Sequence, residues 1–402
     1  MTMVQAPPNS GIGVGANNPA PANLSRSPMA SGPAGQAAAV PFTRGSTDAT
    51  MDDAVGSAGF SSPLQISLQT NAFLQFLELE VTIATAGNTA AVAFNADAPW
   101  NVIQSIKLDD PSGQSIIAPI SGYALYLLNK YGLDAGCGFD PKTDPNYEAV
   151  TGTAANGGSV SFRLVIPVEV RKRDAFGALQ NSAANQRYLL TIQTGATTDL
   201  YSTPPTTLPT TISYSITQSY WTSPPAVIVS AAGQTSVQSS PSGLGTVAFV
   251  RYERHNEVSG GGTPQIQLNN VGDYISNLIF VLRNSSGARD GTDWPSVFNW
   301  YVNDFPVHAL HVNKWQRDLA RFYGYDRAAA EAAGGLDNGV FVLWQLNGLF
   351  DKADNFSPAS QYLPTDATTK LQIRGSNFGA GASYLEVFTR MVRPNSGAAL
   401  FA

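Results

Sequence analysis

Charged residues are scarce in this sequence. The 402 residues include 23 lysines and arginines and 29 aspartates and glutamates, 13% in total, which is about half of the roughly 25% found in an average soluble domain. The net charge is −6, and the one run of basic residues is Arg171-Lys172-Arg173. Proteins that bind nucleic acids neutralise phosphates with many such residues. The sequence therefore predicts no sequence-specific nucleic-acid partner, and its polar, nearly neutral surface favours packing against copies of itself.

Cysteine and long apolar segments are also rare. Cys137 is the only cysteine, which excludes an internal disulfide bond and a multi-cysteine metal site. No apolar run approaches the roughly 20 residues that span a bilayer. Residues 1–40 contain one charged residue, Arg26, and show neither the basic nor the apolar region of a signal peptide. We therefore expect a soluble protein that is made in a cytoplasm.

Hydrophobic residues make up 43% of the chain, and in several segments they occupy every second position. Two such segments are Leu77–Ile83 and Phe162–Val170. A period of two is typical of a β-strand with one face in a core. Helical spacing is confined to short stretches at Leu125–Tyr131 and Trp315–Phe322, and a third short helix is predicted at Asp326–Gly335. The pattern predicts an all-β protein with short loop helices.

The second half of the sequence repeats the first. Trp100 begins a predicted strand-turn-strand-helix unit that ends at Gly132, and Trp294 begins a similar unit that ends at Gly324. The flanking predicted strands match in order: Leu64–Gln69 with Ile266–Asn270, Phe76–Ile83 with Tyr274–Leu282, Val160–Val170 with Gly339–Leu346, Arg187–Gln193 with Thr369–Arg374, and Thr211–Trp221 with Tyr384–Val392. So many matches in order predict two copies of one β domain.

The repeat sets the predicted domain boundaries. Each copy has about eight strands and a helix-bearing excursion in the middle, which fits an eight-stranded jelly-roll sandwich. A stretch rich in proline, serine and glycine separates the copies. We predict a flexible N-terminal arm at residues 1–55, a first jelly roll at 56–222, a linker at 223–245, a second jelly roll at 246–394 and a C-terminal tail at 395–402.

This architecture resembles that of the double jelly-roll major capsid proteins of tailless, membrane-containing icosahedral dsDNA phages, the tectivirus-like lineage with its adenovirus relatives. The strand-turn-strand-helix units Ile103–Gly132 and Phe298–Gly324 carry the resemblance. The closing segments Leu371–Gly375 and Tyr384–Phe388 are also similar. The likeness extends over residues 60–394 and rests on the order of the elements, without a diagnostic motif.

The resemblance implies a structural protein without a cofactor. In that family three chains form a pseudo-hexagonal capsomer, so we expect a homotrimer that contacts neighbouring capsomers and the penton proteins at the vertices of a virion. The shell would enclose an internal membrane and a dsDNA genome. The arm at residues 1–55 would reach that membrane or membrane-associated minor capsid proteins, and the segments Leu133–Gly158 and Asp326–Gly339 would be exposed or intersubunit insertions.

Residues with reactive side chains are better explained by structure than by chemistry, and no catalytic, cofactor-binding or metal-ligating residue is predicted. His308 and His311 have only Asp304 as a nearby carboxylate. Asp109-Asp110 precedes a Pro-Ser-Gly turn. Three groups have the same structural reading: the carboxylate pairs Glu253 with Glu257 and Asp351 with Asp354, the thiol of Cys137, and the aromatic residues Trp294, Trp300, Trp315, Tyr323 and Tyr325.

Two other functions fit parts of the sequence. A secreted two-jelly-roll enzyme that processes glycans, or a sugar-binding protein, would use a carboxylate-lined cleft between domains, but would want a signal peptide and disulfide bonds. The sequons at Asn23, Asn284 and Asn355 matter only in a secreted protein. A minor capsid or vertex-spike protein would have the same sandwich, and its copy number in the particle would distinguish it from the major shell protein.

Overall fold

The computed structural model describes residues 39–84, 92–132, 134–149, 159–230, 233–323, 337–344 and 362–395. All of these described residues belong to one compact unit. The first jelly roll contains β1 (Asp48–Gly59), β2 (Pro63–Ser67), β3 (Phe73–Ile83), β4 (Ala93–Phe94), β5 (Ile103–Asp109), β6 (Ser115–Ile120), β7 (Glu148–Ala149), β8 (Val160–Pro167), β9 (Leu179–Gln180), β10 (Leu189–Thr194), β11 (Tyr201–Thr203) and β12 (Thr211–Trp221).

The second half continues the series with strands of similar lengths. A hairpin of β13 (Val227–Ser230) and β14 (Gly233–Ser236) is followed by β15 (Val247–His255), β16 (Ile266–Leu268), β17 (Tyr274–Asn284), β18 (Val297–Val302), β19 (Phe305–His311), β20 (Val340–Trp344), β21 (Leu363–Pro364), β22 (Leu371–Ile373) and β23 (Ala382–Arg393). The helices are α1 (Phe42–Gly45), α2 (Gly122–Tyr131), α3 (Thr197–Leu200) and α4 (Val312–Tyr323), with single 3-10 turns at Trp100–Val102, Pro141–Thr143 and Lys172–Asp174.

Both halves have the same strand order. In the described residues, the first half pairs β1-β12-β3-β8 in one sheet and β2-β10-β5-β6 in the other. The second half pairs β15-β23-β17-β20 and β16-β22-β18-β19. Eight antiparallel strands in this order, in two sheets that share a core, form a jelly roll. The prediction of an all-β protein with two tandem eight-stranded jelly rolls is confirmed, and so is the predicted matching of strands between the halves.

The alternation of β3 shows how the sequence forms the first core. Leu77, Leu79, Val81 and Ile83 are buried, whereas the intervening Glu78, Glu80 and Thr82 lie on the other face. Because successive side chains of a strand point to opposite faces, this pattern gives the sheet one apolar and one polar face. Strand β17 has no such alternation, since Ile275 to Arg283 are all buried. A strand that is buried on both faces is covered by something other than its own core.

One contact joins the jelly rolls through their sheets. Strand β6 runs parallel to β15, with Ile117 opposite Val250, and this bridge merges the sheet β2-β10-β5-β6 with the sheet β15-β23-β17-β20. Strand β6 is the fifth of the eight principal strands of its jelly roll, and β15 is the first of the next. The two domains therefore sit side by side through a defined pair of edges.

The N-terminal boundary predicted at residue 55 needs correction. Strand β1 begins at Asp48 and pairs along its length with β12. Phe42 is 1% exposed, and its ring packs edge-on against Phe73 and Trp221 at centroid distances of 5.1 and 6.4 Å. An aromatic side chain that is buried in this way anchors the segment. The described chain is thus ordered from near Val40, well inside the predicted arm, and residues 1–38 lie outside the described residues.

Other predicted boundaries meet the structure in different ways. The hairpin β13–β14 lies within the linker predicted at 223–245, and Val237 forms a parallel bridge to Val40. Predicted helices at Leu125–Tyr131 and Trp315–Phe322 correspond to α2 and α4. The helix predicted at Asp326–Gly335 and most of the tail at 395–402 lie outside the described residues. Within the described ranges, no helix is long and apolar enough to cross a membrane.

Candidate assembly surfaces

The two jelly rolls have equivalent outer faces that differ in chemistry. When buried Ile83 is aligned with buried Leu282, Glu78, Glu80 and Thr82 of β3 correspond to Asn277, Ile279 and Val281 of β17. The strand registers extend the match: Ser213, Ser215 and Thr217 of β12 correspond to Glu386, Phe388 and Arg390 of β23, and Asp52, Val55 and Ser57 of β1 correspond to Val250, Tyr252 and Arg254 of β15. On the two central strands, Ile279, Val281 and Phe388 of the second jelly roll are apolar, whereas the matching Glu80, Thr82 and Ser215 of the first are acidic or hydroxylated.

Helix α2 covers the apolar face. Ser121 caps the helix by accepting a hydrogen bond from the Ala124 backbone amide, and all ten residues of α2 are buried. A helix that is buried all round is enclosed on two sides. The backbone carbonyl of Tyr131 accepts hydrogen bonds from Asn277 of β17 and Trp344 of β20, so α2 lies between its own jelly roll and the outer face of the second one.

A buried charge cluster fixes the end of α2. The Lys130 ammonium lies 3.0 Å from a carboxylate oxygen of Asp140 and 2.9 Å from one of Asp337, with all three side chains at most 1% exposed. Tyr131 donates a hydrogen bond of 2.9 Å to Asp337, and Tyr126 donates one of 3.3 Å to the same carboxylate. Asp337 belongs to the second jelly roll, so Lys130 ties the two domains together. Removing one partner of such a buried pair costs about 3–5 kcal/mol.

Further ion pairs cross the same interface. Arg390 of β23 lies 2.9 Å from Asp134, and both side chains are buried. Burial raises the pKa of Asp134, and the neighbouring Arg390 opposes that rise. Asp97 of the first jelly roll binds both Arg283 and Arg289 of the second, each at 2.7 Å. The interface therefore combines an apolar centre with paired charges, as in permanent protein interfaces.

The outer face of the first jelly roll has no such cover in the described residues. Glu80 and Thr82 are exposed, and Val55 of β1 is 72% exposed. Thr217 donates a hydrogen bond to Asp52, and Arg163 of β8 pairs with Glu78 at 3.3 Å. We call this surface, formed by β1, β12, β3 and β8, the open sheet face.

A second open surface is formed by β19 and α4. Strand β19 pairs with β18 and with no further strand among the described residues, and its Phe305 and Val307 are 70% and 43% exposed. Helix α4 buries Trp315 and Leu319 on one side. Its other side exposes several polar residues: Asn313, Lys314, Gln316, Arg317 and Arg321. We call this unit the open edge.

The carboxylates that line the cleft between the jelly rolls are occupied by structural partners. This cleft has a volume of about 700 Å³ and is lined by Asp97, Asp199 and Glu386 among others. Asp97 binds two arginines, Glu386 pairs with Arg283, and Asp199 accepts a hydrogen bond from the Ala196 backbone amide. A glycosidase needs one carboxyl that is kept protonated and one that is ionised. The carboxylates of this cleft instead act as ion-pair and capping groups.

The histidines lie apart from one another. His308 and His311 are both in β19, where their spacing places them on opposite faces of the strand. Burial lowers the pKa of His308, and Lys314 lowers it further. Burial lowers the pKa of His255, but the hydrogen bonds and negative charges of Glu253 and Glu257 together outweigh burial and leave that pKa raised. Among the described residues, no three histidine, cysteine or acidic side chains form a group able to hold a metal.

The other singled-out residues occupy structural positions. Cys137 is partly buried in the loop after α2, and burial raises the pKa of its thiol, which makes it a poor nucleophile. Asp110 closes the turn after β5 by accepting hydrogen bonds from the backbone amides of Ser112 and Gln114. Arg171 pairs with Asp174 at 2.6 Å, and Lys172 is about half exposed. Asp351, Asp354, Asn23, Asn355 and Tyr325 lie outside the described residues.

The aromatic residues of the second half form its core. Trp294 stacks on Phe341 at 3.7 Å, and Phe280 packs against both Trp294 and Trp300. Trp315 of α4 donates a hydrogen bond of 2.6 Å to the Val342 carbonyl. These tryptophans are at most 6% exposed. Their packing is the core packing predicted from the repeat, and their rings do not form an open sugar platform.

Similarity to known proteins lies in the fold. No protein-family model and no curated protein matches the sequence. The major capsid protein of STIV superposes with a TM-score of 0.60 and 15% identity, covering 89% of this chain and 99% of that chain. A chain in the atomic structure of Sulfolobus Turreted Icosahedral Virus superposes with a TM-score of 0.57 and 14% identity, covering 86% of this chain and 91% of that chain. A chain of the PBCV-1 virus capsid superposes with a TM-score of 0.57 and 9% identity, covering 88% of this chain and 95% of that chain. The chain therefore has the double jelly-roll fold of these capsid proteins, as the predicted resemblance in architecture requires.

Proposed function

We propose that this protein is the major capsid protein of an icosahedral virus. Two observations support the proposal together. The chain shares the fold of viral capsid proteins over most of its length. It also carries two jelly rolls of the same strand order, which are joined side by side through β6 and β15. The second observation carries the proposal, because two similar units per chain let three chains fill a six-fold lattice position.

The interface between the two jelly rolls of one chain is suited to a permanent component of a shell. Helix α2, Lys130 and the pair Asp134–Arg390 hold the two jelly rolls at one relative position. A rigid pair of domains repeats the same geometry in every subunit, which a regular lattice requires. We propose that the chain trimerises into pseudo-hexagonal capsomers, which contact neighbouring capsomers and the penton proteins of the vertices.

The remaining partners follow from the same proposal. The shell would enclose an internal membrane and a dsDNA genome, and the protein would be made in the host cytoplasm before it enters the virion. Residues 1–38 precede the described part of the chain and would reach the membrane or membrane-associated minor capsid proteins. We propose an arm that ends near Val40 instead of at residue 55, because Phe42 is buried and β1 pairs with β12 in the first jelly roll.

The proposed role is structural and includes no catalysis. The carboxylates of the interdomain cleft are held by Arg283, Arg289 and a helix cap, which leaves none of the three in the paired arrangement that acid–base chemistry uses. Replacing Asp97 should therefore lower the stability of the protein. No glycan-processing activity is expected before or after the replacement.

The mass of the purified protein in solution tests the proposal. Light scattering behind a sizing column should give three times 42.4 kDa, and concentrated trimers should form shells that are visible by electron microscopy. A monomer at every concentration would contradict the proposal. In purified particles, the chain should be the most abundant shell protein, since a minor capsid or vertex-spike protein would be present in far fewer copies.

A deletion separates the arm from the folded domains. Removing residues 1–38 leaves Phe42 and β1 in place, so the variant should remain a folded trimer with an unchanged melting temperature. Its yield of closed shells should fall severalfold, because contacts between neighbouring capsomers would be missing. Loss of the soluble trimer on this deletion would contradict the assigned role of the arm.

A further inference from the structure

One strand contact between jelly rolls is formed within the chain, and the strands that would form an equivalent second contact have an unpaired edge in the described residues. Strand β6 of the first jelly roll lies parallel to β15 of the second. The equivalent strand of the second jelly roll is β19, and the strand equivalent to β15 is β1. In the described part of the chain, β19 pairs with β18 and β1 pairs with β12, which leaves the other edge of each without a strand. An unpaired edge is a template for pairing with another chain.

The exposed apolar residues lie where this second contact would form. Val55 corresponds in register to Tyr252, two positions along from Val250, the residue that faces Ile117 across the parallel bridge. On the other edge, Ile117 corresponds to the segment Phe305–Val307, counted back from the starts of α2 and α4. Val55, Phe305 and Val307 are among the few large apolar side chains that are strongly exposed. Docking β19 beside β1 would bury all three.

The helices extend the match. Tyr123, Tyr126 and Lys130 of α2 face the second jelly roll with the spacing i, i+3, i+7. Helix α4 exposes three cations with the same spacing, Lys314, Arg317 and Arg321, each one position further along than the residue that a count from the helix starts matches to Tyr123, Tyr126 or Lys130.

The sheet face at the corresponding place is acidic and hydroxylated. Three carboxylates, Glu78, Glu80 and Asp52, lie on the open sheet face among the serines and threonines of β12, with Arg163 of β8 as the neighbouring cation that pairs with Glu78. Inside the chain, an apolar helix covers an apolar sheet face. Of the two open surfaces, the exposed side of α4 is basic and the open sheet face is acidic, so their charges complement each other. The two apolar surfaces of the internal interface are complementary in the same sense.

We propose that the open edge of one copy, β19 with α4, docks on β1 and the open sheet face of a second copy of this chain. The contact is head-to-tail and uses different surfaces on the two copies, so it generates a ring where the rotation closes. Closure at three chains rests on the proposed function. The strand and helix contact itself is assigned from the internal repeat alone.

Engineered cysteines test the contact directly. In the double variant Val55→Cys, Val307→Cys, mild oxidation of the full-length protein should produce disulfide-linked dimers and trimers on a non-reducing gel, while native Cys137 stays partly buried in its loop. The matched control is Val229→Cys, Val307→Cys, because Val229 is 74% exposed on the hairpin β13–β14, outside both surfaces. Linkage in the control that equals linkage in the test variant would overturn the proposal.

Charge reversal gives a second, independent readout. Arg317→Glu should weaken self-association by about tenfold or more, since it places like charge against Glu80 and Glu78. The far-UV circular dichroism should not change, because Arg317 is exposed. Arg317→Lys should behave like the unmodified protein, and Glu80→Arg combined with Arg317→Glu should restore association.

The two proposals fail in different ways. A trimer that neither cross-links at Val55 and Val307 nor responds to Arg317→Glu would overturn the assigned contact and leave the capsid role intact. Specific cross-linking with restored charge pairs, in a protein that never forms shells and is absent from particles, would overturn the capsid role and support the contact. A protein without self-association and without cross-links would overturn both.

Discussion

Helices α2 and α4 occupy the same place in the two jelly rolls, yet their surroundings are opposite. Every residue of α2 is buried, and the helix lies between its own sandwich and the next one. Helix α4 buries Trp315 and Leu319 and leaves a face with Lys314 and Arg317 exposed. The same difference separates the outer sheet faces, which carry Ile279 and Val281 where covered and Glu80 and Thr82 where open. One architecture thus supports a permanent interface and a surface that is stable in water.

The comparison shows how a duplicated domain can be both a folding unit and an assembly unit. An apolar interface must form while the chain folds, since a free subunit could not expose it without aggregating. A polar interface with complementary charges leaves the subunit soluble until its partner arrives. The internal contact is therefore apolar with buried ion pairs, and the external one is polar at its centre, with a few exposed apolar residues such as Phe305.

The strongest test of this difference is to neutralise one lysine on each helix. Lys130→Met should lower the free energy of unfolding by about 3–5 kcal/mol, because Asp140 and Asp337 would remain buried without their cation. Lys314→Met is the matched variant. It removes only a 57%-exposed partner of Asp318, and an exposed pair of this kind contributes about 0–1 kcal/mol.

Chemical denaturation monitored by tryptophan fluorescence measures both changes. A second unfolding transition in Lys130→Met would show that the two jelly rolls had become uncoupled. If the two variants lost equal stability, the distinction between an internal and an external helix would be wrong.

A pH titration of stability separates core energetics from assembly. Glu169 is fully buried in the first jelly roll and accepts a hydrogen bond of 2.9 Å from Trp221. Burial raises the pKa of Glu169 from 4.5 to about 8, although the hydrogen bond from Trp221 opposes the rise. The folded protein therefore binds this proton more tightly than the unfolded chain does. The stabilising contribution is complete below pH 4.5 and is lost as the pH rises to about 8.

Glu169→Gln should remove this dependence, because an amide keeps the hydrogen bond from Trp221 and does not ionise. Above pH 8 the variant should be more stable than the unmodified protein by up to about 5 kcal/mol, because the pKa rises from 4.5 to about 8 and each pKa unit corresponds to roughly 1.4 kcal/mol. The trimer mass should be unaffected, since Glu169 lies on neither open surface. A melting temperature with the same pH profile in both proteins would contradict the assigned titration.

Much of the fold could be predicted from the sequence, because large apolar residues at every second position of a strand indicate a buried face. Strand β1 escaped the prediction since Asp48–Gly59 consists mostly of small and acidic residues, and its pairing with β12 places no strong apolar stripe in the core. Phe42 was missed for a similar reason, as a single aromatic residue in a segment without periodicity gives no signal.

The interface residues were harder to predict than the strands. Lys130 reads in sequence as an ordinary cation in the last turn of a helix. Its partner Asp337 lies 206 residues after Tyr131, in a segment with no pattern of its own, and only the folded chain brings them together. The repeat did contain a usable signal. Comparison of β17 with β3 shows apolar residues exchanged for polar or charged ones at matching positions, and α4 is more polar than α2, which distinguishes the covered copy from the open one.

The smallest expected effect is that of salt, and it separates the two interfaces without any mutation. Raising the ionic strength from about 0.05 M to about 0.5 M shortens the screening length from roughly 14 Å to roughly 4 Å. The contact of Lys314, Arg317 and Arg321 with the acidic sheet face should weaken by about fivefold, whereas the internal pair Lys130–Asp337, which is buried, should be screened little. Light scattering across a dilution series would show the first change, and an unchanged unfolding midpoint at matched oligomeric state would show the second. If association strengthened with salt instead, Val55, Phe305 and Val307 would dominate the contact between copies, because burial of apolar surface is favoured when salts are excluded from it.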